Sequence, residues 1–474
     1  MRQLLAAALL IATPVSAQTL QQQVEAKLAE AASGTRFGLV VVDEGGNEIV
    51  AINPDGRFIP ASNTKMFTTA AAFRNLPGVN DPDASGGASV RIEGKDVVLE
   101  GHGDARMSSA DDCRIDCLAA LADAVAAKTK RVRDVIGDDT IFPDQRWSPG
   151  MSWNNIPTSS GTGISALTLD DNELAMTVTP GKAGEAPRAE LWPYYIVDNR
   201  ARTVPGDGNH IGFDRDPNGR LLHLTGTIGA DARPRTYKLG IDDPADYAAW
   251  RLKALLEARG VKVKGQVRVR HRVTMPEDDP GLGGAIVVHA NDRPAPLARL
   301  TPPPLAEDLK HINKVSQNLH AELALRRVAL INGTGSLGYG TAAIEAMLTE
   351  AGVPRTAYDF SDGSGMSSYN RVAPRGVVKF LRWTQTQPWG AQWRDTLPTA
   401  GSEGTLGRRF KNGPLAGKLW AKTGTLNATN ALAGFMQAAS GKTLTFAFYA
   451  NDIPQDAGAT KVMDAALEII AAAN

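Results

Sequence analysis

The sequence predicts a mixed α/β fold of the α+β kind, an antiparallel sheet flanked by helices and interrupted by an inserted β-rich region. Three observations lead there. Strand-like runs occur near both ends of the chain, at residues 36–59 and 418–450. A closing apolar helix follows the second group. Between them, roughly residues 80–290 carry short apolar runs punctuated by Gly, Pro and Asp, a strand-and-loop pattern.

The elements follow in order. Phe37 to Val42 reads as a strand, Gly45-Gly46-Asn47 as a turn, and Glu48 to Ile52 as the return strand of a hairpin. Pro60 breaks the chain, and Lys65 to Phe73 reads as a buried helix. In the middle, Val97–Glu100, Leu221–Thr227 and Val261–Val273 look like strands, with helical stretches at Leu118–Ala127 and Tyr247–Ala258. His311 to Leu330 and Thr341 to Glu350 read as helices, and residues 361–365, Ser-Asp-Gly-Ser-Gly, as a loop. Lys418–Asn427, Ala431–Gln437 and Leu444–Ala450 are strands. Asp456–Ala473 is a helix, apolar at Val462, Met463, Ala466, Leu467 and Ile470. The two ends of the chain should share one sheet. The expected division is a leader at 1–17, a catalytic unit from 18–80 and 290–474, and an insert at 81–289. The insert divides again into 81–150 with 240–289, and 151–239.

Bulk properties exclude several classes of function. The chain has 51 Lys plus Arg and 51 Asp plus Glu among 474 residues, so its formal charge is zero. A nucleic-acid partner would call for a basic excess. Met1-Arg2, the apolar Leu4–Ala12 and the small residues Val15-Ser16-Ala17 form an export signal that ends before Gln18. No later run is apolar enough to cross a bilayer, so a periplasmic protein without a transmembrane anchor is expected. Cys113 and Cys117 are the only two cysteines, and export leaves two readings open, a small local disulfide or two free thiols. There is no His-Glu-x-x-His zinc motif, and no metal or cofactor is expected. Gly-x-Ser-x-Gly is also absent, which argues against an α/β-hydrolase.

Three short motifs carry the chemistry. Ser62-Asn63-Thr64-Lys65 sets a hydroxyl and an amine three residues apart at a helix start, where they share one face. Free amides and the positive dipole end at such a site suit a developing anion. Ser316-Gln317-Asn318 is unexpected inside a helical run, because both Ser and Asn compete for backbone hydrogen bonds. A short connection between two helices would aim both side chains one way. In Lys422-Thr423-Gly424-Thr425, strand alternation puts Lys422 and Gly424 on one side. Lys422 brings a cation, and Gly424 leaves space for a substrate backbone. Each motif alone reads better as, in turn, a helix cap, a solvated helix break or an edge lysine. In this order, together, they make the Ser-x-x-Lys, Ser-x-Asn and Lys-Thr-Gly set of penicillin-binding proteins and class A β-lactamases.

The chain resembles the class C low-molecular-mass penicillin-binding proteins, the D-alanyl-D-alanine carboxypeptidase/endopeptidase family. Asp362-Gly363-Ser364-Gly365-Met366-Ser367 followed by Asn370, then Leu397-Pro398 with Ala400-Gly401, and Leu432-Ala433-Gly434-Phe435, look like that family's further blocks. Roughly 250 residues separate Lys65 from Ser316, and a long insert at this point is what the resemblance implies. Ser368 stands where the family often has an Arg that could hold a substrate carboxylate, and Gln317 where many relatives have Asp.

The resemblance implies a serine β-lactamase-like transpeptidase fold and a D,D-peptidase acting on peptidoglycan stem peptides, acylated by β-lactams. Ser62 would be the nucleophile and Lys65 its base, with Lys422 and Lys314 as nearby cations favouring the neutral amine. Ser316 would pass the proton to the leaving amine. Lys422, Thr423 and Asn318 would position substrate, and the amides of Ser62 and Thr425 would hold the oxyanion. Relatives can form dimers, so a homodimer is allowed. The competing functions are a serine β-lactamase, disfavoured by the insert, and a non-catalytic wall-binding protein or penicillin sensor, disfavoured by the intact Ser62, Lys65 and Lys422. His102, His320 and the polar run Asp170-Asp171-Asn172 are weaker candidates, the run for wall binding.

Overall fold

The computed structural model describes residues 18–282 and 294–474, so the leader expected at 1–17 lies outside the described residues. The two ends of the chain do share one sheet. Its strand order is Leu419–Leu426, Thr429–Gln437, Thr443–Asn451, Arg36–Val42, Glu48–Ile52, all antiparallel. After the exposed Arg36, the strand carries no polar side chain from Phe37 to Val42 because both faces are covered. Phe37, Leu39 and Val41 pack on the terminal helices through Val24, Leu28, Met463, Leu467 and Ile470. Val40 and Val42, on the other face, meet Phe58, Met66, Phe67 and Phe380. The site lies on this second side, between the sheet and the buried helix Thr64–Asn75.

Four expected elements differ in detail. The run His311–Leu330 is two helices, Leu305–Val315 and Asn318–Ile331. Between them Ser316 adopts a left-handed conformation (φ 67°, ψ 38°), and the Gln317 side chain caps the second helix by accepting from the amide of Leu319. The side-chain competition that makes Ser and Asn poor helix formers has become a corner. The expected strand Val261–Val273 is likewise two, Lys262–Val263 and Val267–Arg272, each parallel to a different strand. Gly265 sits at the break, where a Cβ would lie 1.9 Å from the Asp134 carboxylate. The closing helix starts at Thr460 rather than Asp456, whose φ is 68°. The helix expected at Thr341–Glu350 begins earlier, at Leu337, and of the two readings left open for Cys113 and Cys117 the structure has the disulfide, in a loop that precedes the helix Leu118–Lys128.

The insert is rich in strands and carries both expected helices, Leu118–Lys128 and Pro244–Ala258. A five-stranded sheet runs in the order Val267–Arg272, Val135–Pro143, Asp96–Glu100, Ser89–Glu93, Ala298–Arg299. Two of its neighbours, Asp96–Glu100 and Val135–Pro143, are parallel, and the helix Leu118–Lys128 lies between them in the chain, as parallel pairing requires. The fifth strand comes from the stretch after residue 293. Two smaller sheets occupy residues 173–240, and one apolar cluster runs through all of these elements.

Candidate active site

Ser62 lies in a single 3-10 turn, Ala61–Asn63, that leads into the helix Thr64–Asn75. Ala61 has φ 47°, and Thr64 closes the turn by donating its hydroxyl to the Ala61 carbonyl at 2.9 Å. Gly365 packs on this turn so closely that a Cβ there would be 1.9 Å from the Ala61 oxygen. Lys65, one helical step on, is fully buried. Its ammonium donates to Ser62 Oγ at 3.0 Å, to Asn318 Oδ1 at 2.7 Å and to the Ser364 carbonyl. Lys422 is also fully buried and donates to Ser316 Oγ at 2.9 Å. The left-handed turn at Ser316 is what lets its hydroxyl and the Asn318 amide reach different lysines. Five of the sequence-predicted residues, Ser62, Lys65, Ser316, Asn318 and Lys422, therefore meet in one cleft.

The strand Leu419–Leu426 forms the opposite wall. It is the edge of its sheet, and the amide of Ala421 points outward to the Pro398 carbonyl at 3.0 Å. Alternation along an antiparallel strand then turns the amides of Thr423 and Thr425 outward as well, with no strand beyond them. Asn63, which the sequence reading passed over, ties this wall to the nucleophile turn by donating to the Lys422 carbonyl at 2.7 Å. Gly424 has a different reason from the expected one. The backbone that approaches it is the protein's own: a Cβ would lie 2.5 Å from the Pro60 carbonyl. Thr423 shares a hydroxyl hydrogen bond with Thr405 at 2.7 Å, and Thr425 is exposed.

Burial sets the electrostatics. It pushes the Lys65 amine down to about 7, against the opposing pull of the Asp362 and Glu322 carboxylates. Burial, and then the charge of Lys65, hold Lys422 well below the ordinary lysine range. Lys314 has no part in this, contrary to expectation. Its ammonium is turned to the Leu397 carbonyl at 2.6 Å and to the Glu403 carboxylate.

The remaining candidates are structural. Ser368 donates its hydroxyl to the Gly150 carbonyl at 2.9 Å, and Ser367 does the same to Pro149 at 2.6 Å, so this segment fastens the insert. Asn318 also donates to the Ser160 carbonyl at 3.3 Å, an insert residue no motif signalled. Asp362 accepts from the amides of Gly365 and Ser367 and from Asn370, and is a loop brace. His320 is buried between Asp308 at 2.6 Å and Asp171 at 2.8 Å. Asp170 accepts from Ser108 and Ser109, and Asn172 from the amide of Leu169. The polar run is thus occupied inside the protein, and its three left-handed residues (φ 51°, 56° and 51°) hold Asp171 toward His320. His102 lies in the insert against Arg299.

Comparison with known proteins gives a consistent answer. The family model for D-Ala-D-Ala carboxypeptidase 3 (S13) matches residues 20–473. A D-alanyl-D-alanine carboxypeptidase of Actinomadura sp. (strain R39) is 32% identical over 450 residues, covering 89% of this chain and 79% of that protein. D-alanyl-D-alanine carboxypeptidase DacB of Haemophilus influenzae is 24% identical over 434 residues, covering 88% of this chain and 86% of its own. Among solved structures, penicillin binding protein 4 of H. influenzae superimposes with a TM-score of 0.77 at 21% identity, over 91% of this chain and 94% of that one, and so shares the fold. The chain belongs to the D-Ala-D-Ala carboxypeptidase 3 (S13) family and is a serine-type D-Ala-D-Ala carboxypeptidase.

Proposed function

We propose that Ser62 is the acylated nucleophile and that the reaction runs through the two buried lysines. The observation that carries this is the 3.0 Å contact between Lys65 Nζ and Ser62 Oγ, with Lys65 wholly shielded from water and its affinity for a proton lowered. A lysine that is neutral for a large part of the time at pH 7 can accept the Ser62 proton. Ser62 Oγ bonds to the carbonyl carbon of the penultimate D-Ala, and the carbonyl becomes an oxyanion held by the amides of Ser62 and Thr425. As the tetrahedral species collapses, the C–N bond breaks. The leaving amine takes a proton relayed through Ser316, whose hydroxyl rests on Lys422. Water then hydrolyses the ester, releasing Ser62. Asn318 and Thr423 would orient the stem peptide, whose backbone adds along the free edge beyond Ala421.

On this reading the substrate is the peptide of exported peptidoglycan, and the 1–17 segment is the leader that takes the enzyme to the periplasm. Cleavage of a D-Ala-diamino-acid cross-link is the same reaction with a larger leaving amine. The catalytic unit is read as 18–80 together with the chain from about residue 300 onward, not from 290, because the strand Ala298–Arg299 pairs with Ser89–Glu93 in the sheet of the insert. A β-lactam offers its ring carbonyl at the same point and leaves a stable ester. The test is labelling with a fluorescent penicillin, wild type beside Ser62→Ala. Label on the wild type alone is expected, and equal labelling sinks the assignment. Incubation with a D-Ala-D-Ala-ended pentapeptide and with cross-linked sacculi separates carboxypeptidase from endopeptidase work.

A further inference from the structure

Glu322 belongs to none of the motifs, yet it is one of the most deeply buried acids beside the site. It sits four residues after Asn318, so on the same face of the helix Asn318–Ile331. Only 4% of it is exposed. One oxygen, Oε1, accepts from the amides of Gly363 at 3.0 Å and Ser364 at 2.9 Å. The carbonyl of the same Ser364 accepts from Lys65 Nζ. Lys65 in turn reaches Ser62 Oγ. The chain of contacts is continuous: Glu322, the 363–364 turn, Lys65, Ser62.

Its other oxygen has no hydrogen-bond partner among the described residues. Arg326, one turn further on and also buried, sends its guanidinium to Gln145 instead of pairing with Glu322. A buried acid is ordinarily paired or fully bonded, because an unsatisfied carboxylate loses its hydration for nothing. Glu322 is half bonded, and the half that is bonded lies on the turn that anchors the base.

We infer that Glu322 is a positioning residue for Lys65, holding through one carboxylate oxygen the turn whose carbonyl anchors the Lys65 ammonium. This rests on the reading of Lys65 as the base and extends it. The bond and the charge of Glu322 have separable consequences. The bond keeps the Ser364 carbonyl at a fixed place, so Lys65 points at Ser62. The charge stabilises the protonated form of Lys65. The charged groups facing the pair are Asp362, which acts in the same sense as Glu322, Lys422, which lies close to Lys65, and Arg326, which faces Glu322. Burial, and then Asp362, push Glu322 itself up to about 7, so with rising pH it takes on its charge over the same range in which Lys65 loses its proton.

Two substitutions separate bond from charge. Glu322→Gln keeps an oxygen to accept from both amides and removes the charge. Glu322→Asp keeps the charge and shortens the reach by a methylene. The measurement is the rate of acylation by a fluorescent penicillin on the full chain, against pH. With Gln, the acidic limb should move down by about 1 pH unit, since Lys65 then gives up its proton more readily, with the plateau near wild type. With Asp, the limb should stay in place while the plateau falls roughly 10-fold or more, because the turn is displaced. A residue that merely held the fold together would move both plateaus and neither limb. A limb for Gln that superimposes on the wild type overturns the inference, as does a wild-type plateau for Asp. Ser62→Ala, run alongside, reads the nucleophile by itself. Label retained there counts against the reading of the site, whereas superimposed limbs count against Glu322.

Discussion

The cleft at Ser62 and the junction at His320 lie only two residues apart on the Ser316–His320 segment, and both bury cations. They do opposite things with them. Lys65 and Lys422 are bonded to hydroxyls, an amide oxygen and carbonyls, none of which carries a charge. Desolvation is unopposed by any directly bonded carboxylate, and both lysines hold a proton weakly. His320 is bonded on both ring nitrogens to carboxylates, Asp308 from the preceding helix and Asp171 from the insert. Burial would lower it too, but the two acids outweigh burial and raise it to about 10. The same operation, burying a cation, yields a reactive group where the partners are neutral and a fastener where they are charged. One region performs the chemistry, and the other clamps the insert to the corner that presents Ser316 and Asn318.

The largest effects should separate the two roles outright. Ser62→Ala should abolish penicillin labelling, and Lys65→Met should slow it by roughly 10²–10⁴-fold, with little change in folding stability. His320→Gln should do the reverse. It leaves the buried Asp308 and the part-exposed Asp171 without their cation, at a cost of about 3 kcal/mol in urea unfolding, the low end for a broken buried pair because Asp171 keeps part of its water, while acylation falls much less than in Lys65→Met. Acylation lost as completely in His320→Gln as in Lys65→Met would erase the distinction. A smaller effect is local to one loop of the insert. Cys113→Ser with Cys117→Ser opens a loop of four-residue separation, worth about 2 kcal/mol by chain entropy, and should leave the acylation rate unchanged.

The smallest effect is a difference of slopes with pH. Lys65 has a lower proton affinity folded than unfolded, so the unfolded chain binds more protons between about 7 and 10.5, and its contribution to stability rises with pH across that window. His320 has a higher affinity folded than its ordinary value of 6.5. Its contribution is complete below that value and is lost as pH rises through about 10. The two oppose each other between neutral pH and about 10. Relative to wild type, His320→Gln should therefore steepen the gain of stability with rising pH, and Lys65→Met should turn it toward loss. Urea midpoints at three pH values across the window check the signs. Slopes that move together would break the comparison.

Much of this protein was legible in one dimension. Apolar alternation places both halves of the main sheet, because a strand covered on both faces must be apolar throughout, as Phe37–Val42 is. The three motifs single out Ser62, the two lysines and the Ser–Asn pair that the structure brings together, because each is a short run whose spacing on a helix or strand already sets side chains together. Other features were out of reach. A connection at Ser316–Asn318 was signalled by the Ser–Asn pair, but the left-handed turn at Ser316 and the role of Gln317 as a cap need the packing of two helices, and Gly424 is explained only by the nearness of Pro60. Glu322 carried one faint signal, its helical spacing from Asn318, but its bond to the 363–364 turn joins segments about 40 residues apart. Ser160, Asp171 and Lys314 find their partners 158, 149 and 89 positions away.

The sequence by itself determined which groups are proposed to react, since candidate groups are specified by residue type and local spacing. Only the tertiary structure decided how readily they react. Proton affinity depends on what water is excluded and which charges are near, and those are properties of contacts between segments distant in the chain. Lys65 and Lys314 are both lysines beside a motif. Burial against neutral partners lowers the proton affinity of one and suits it to the proposed role of base, and an exposed glutamate makes the other a tether.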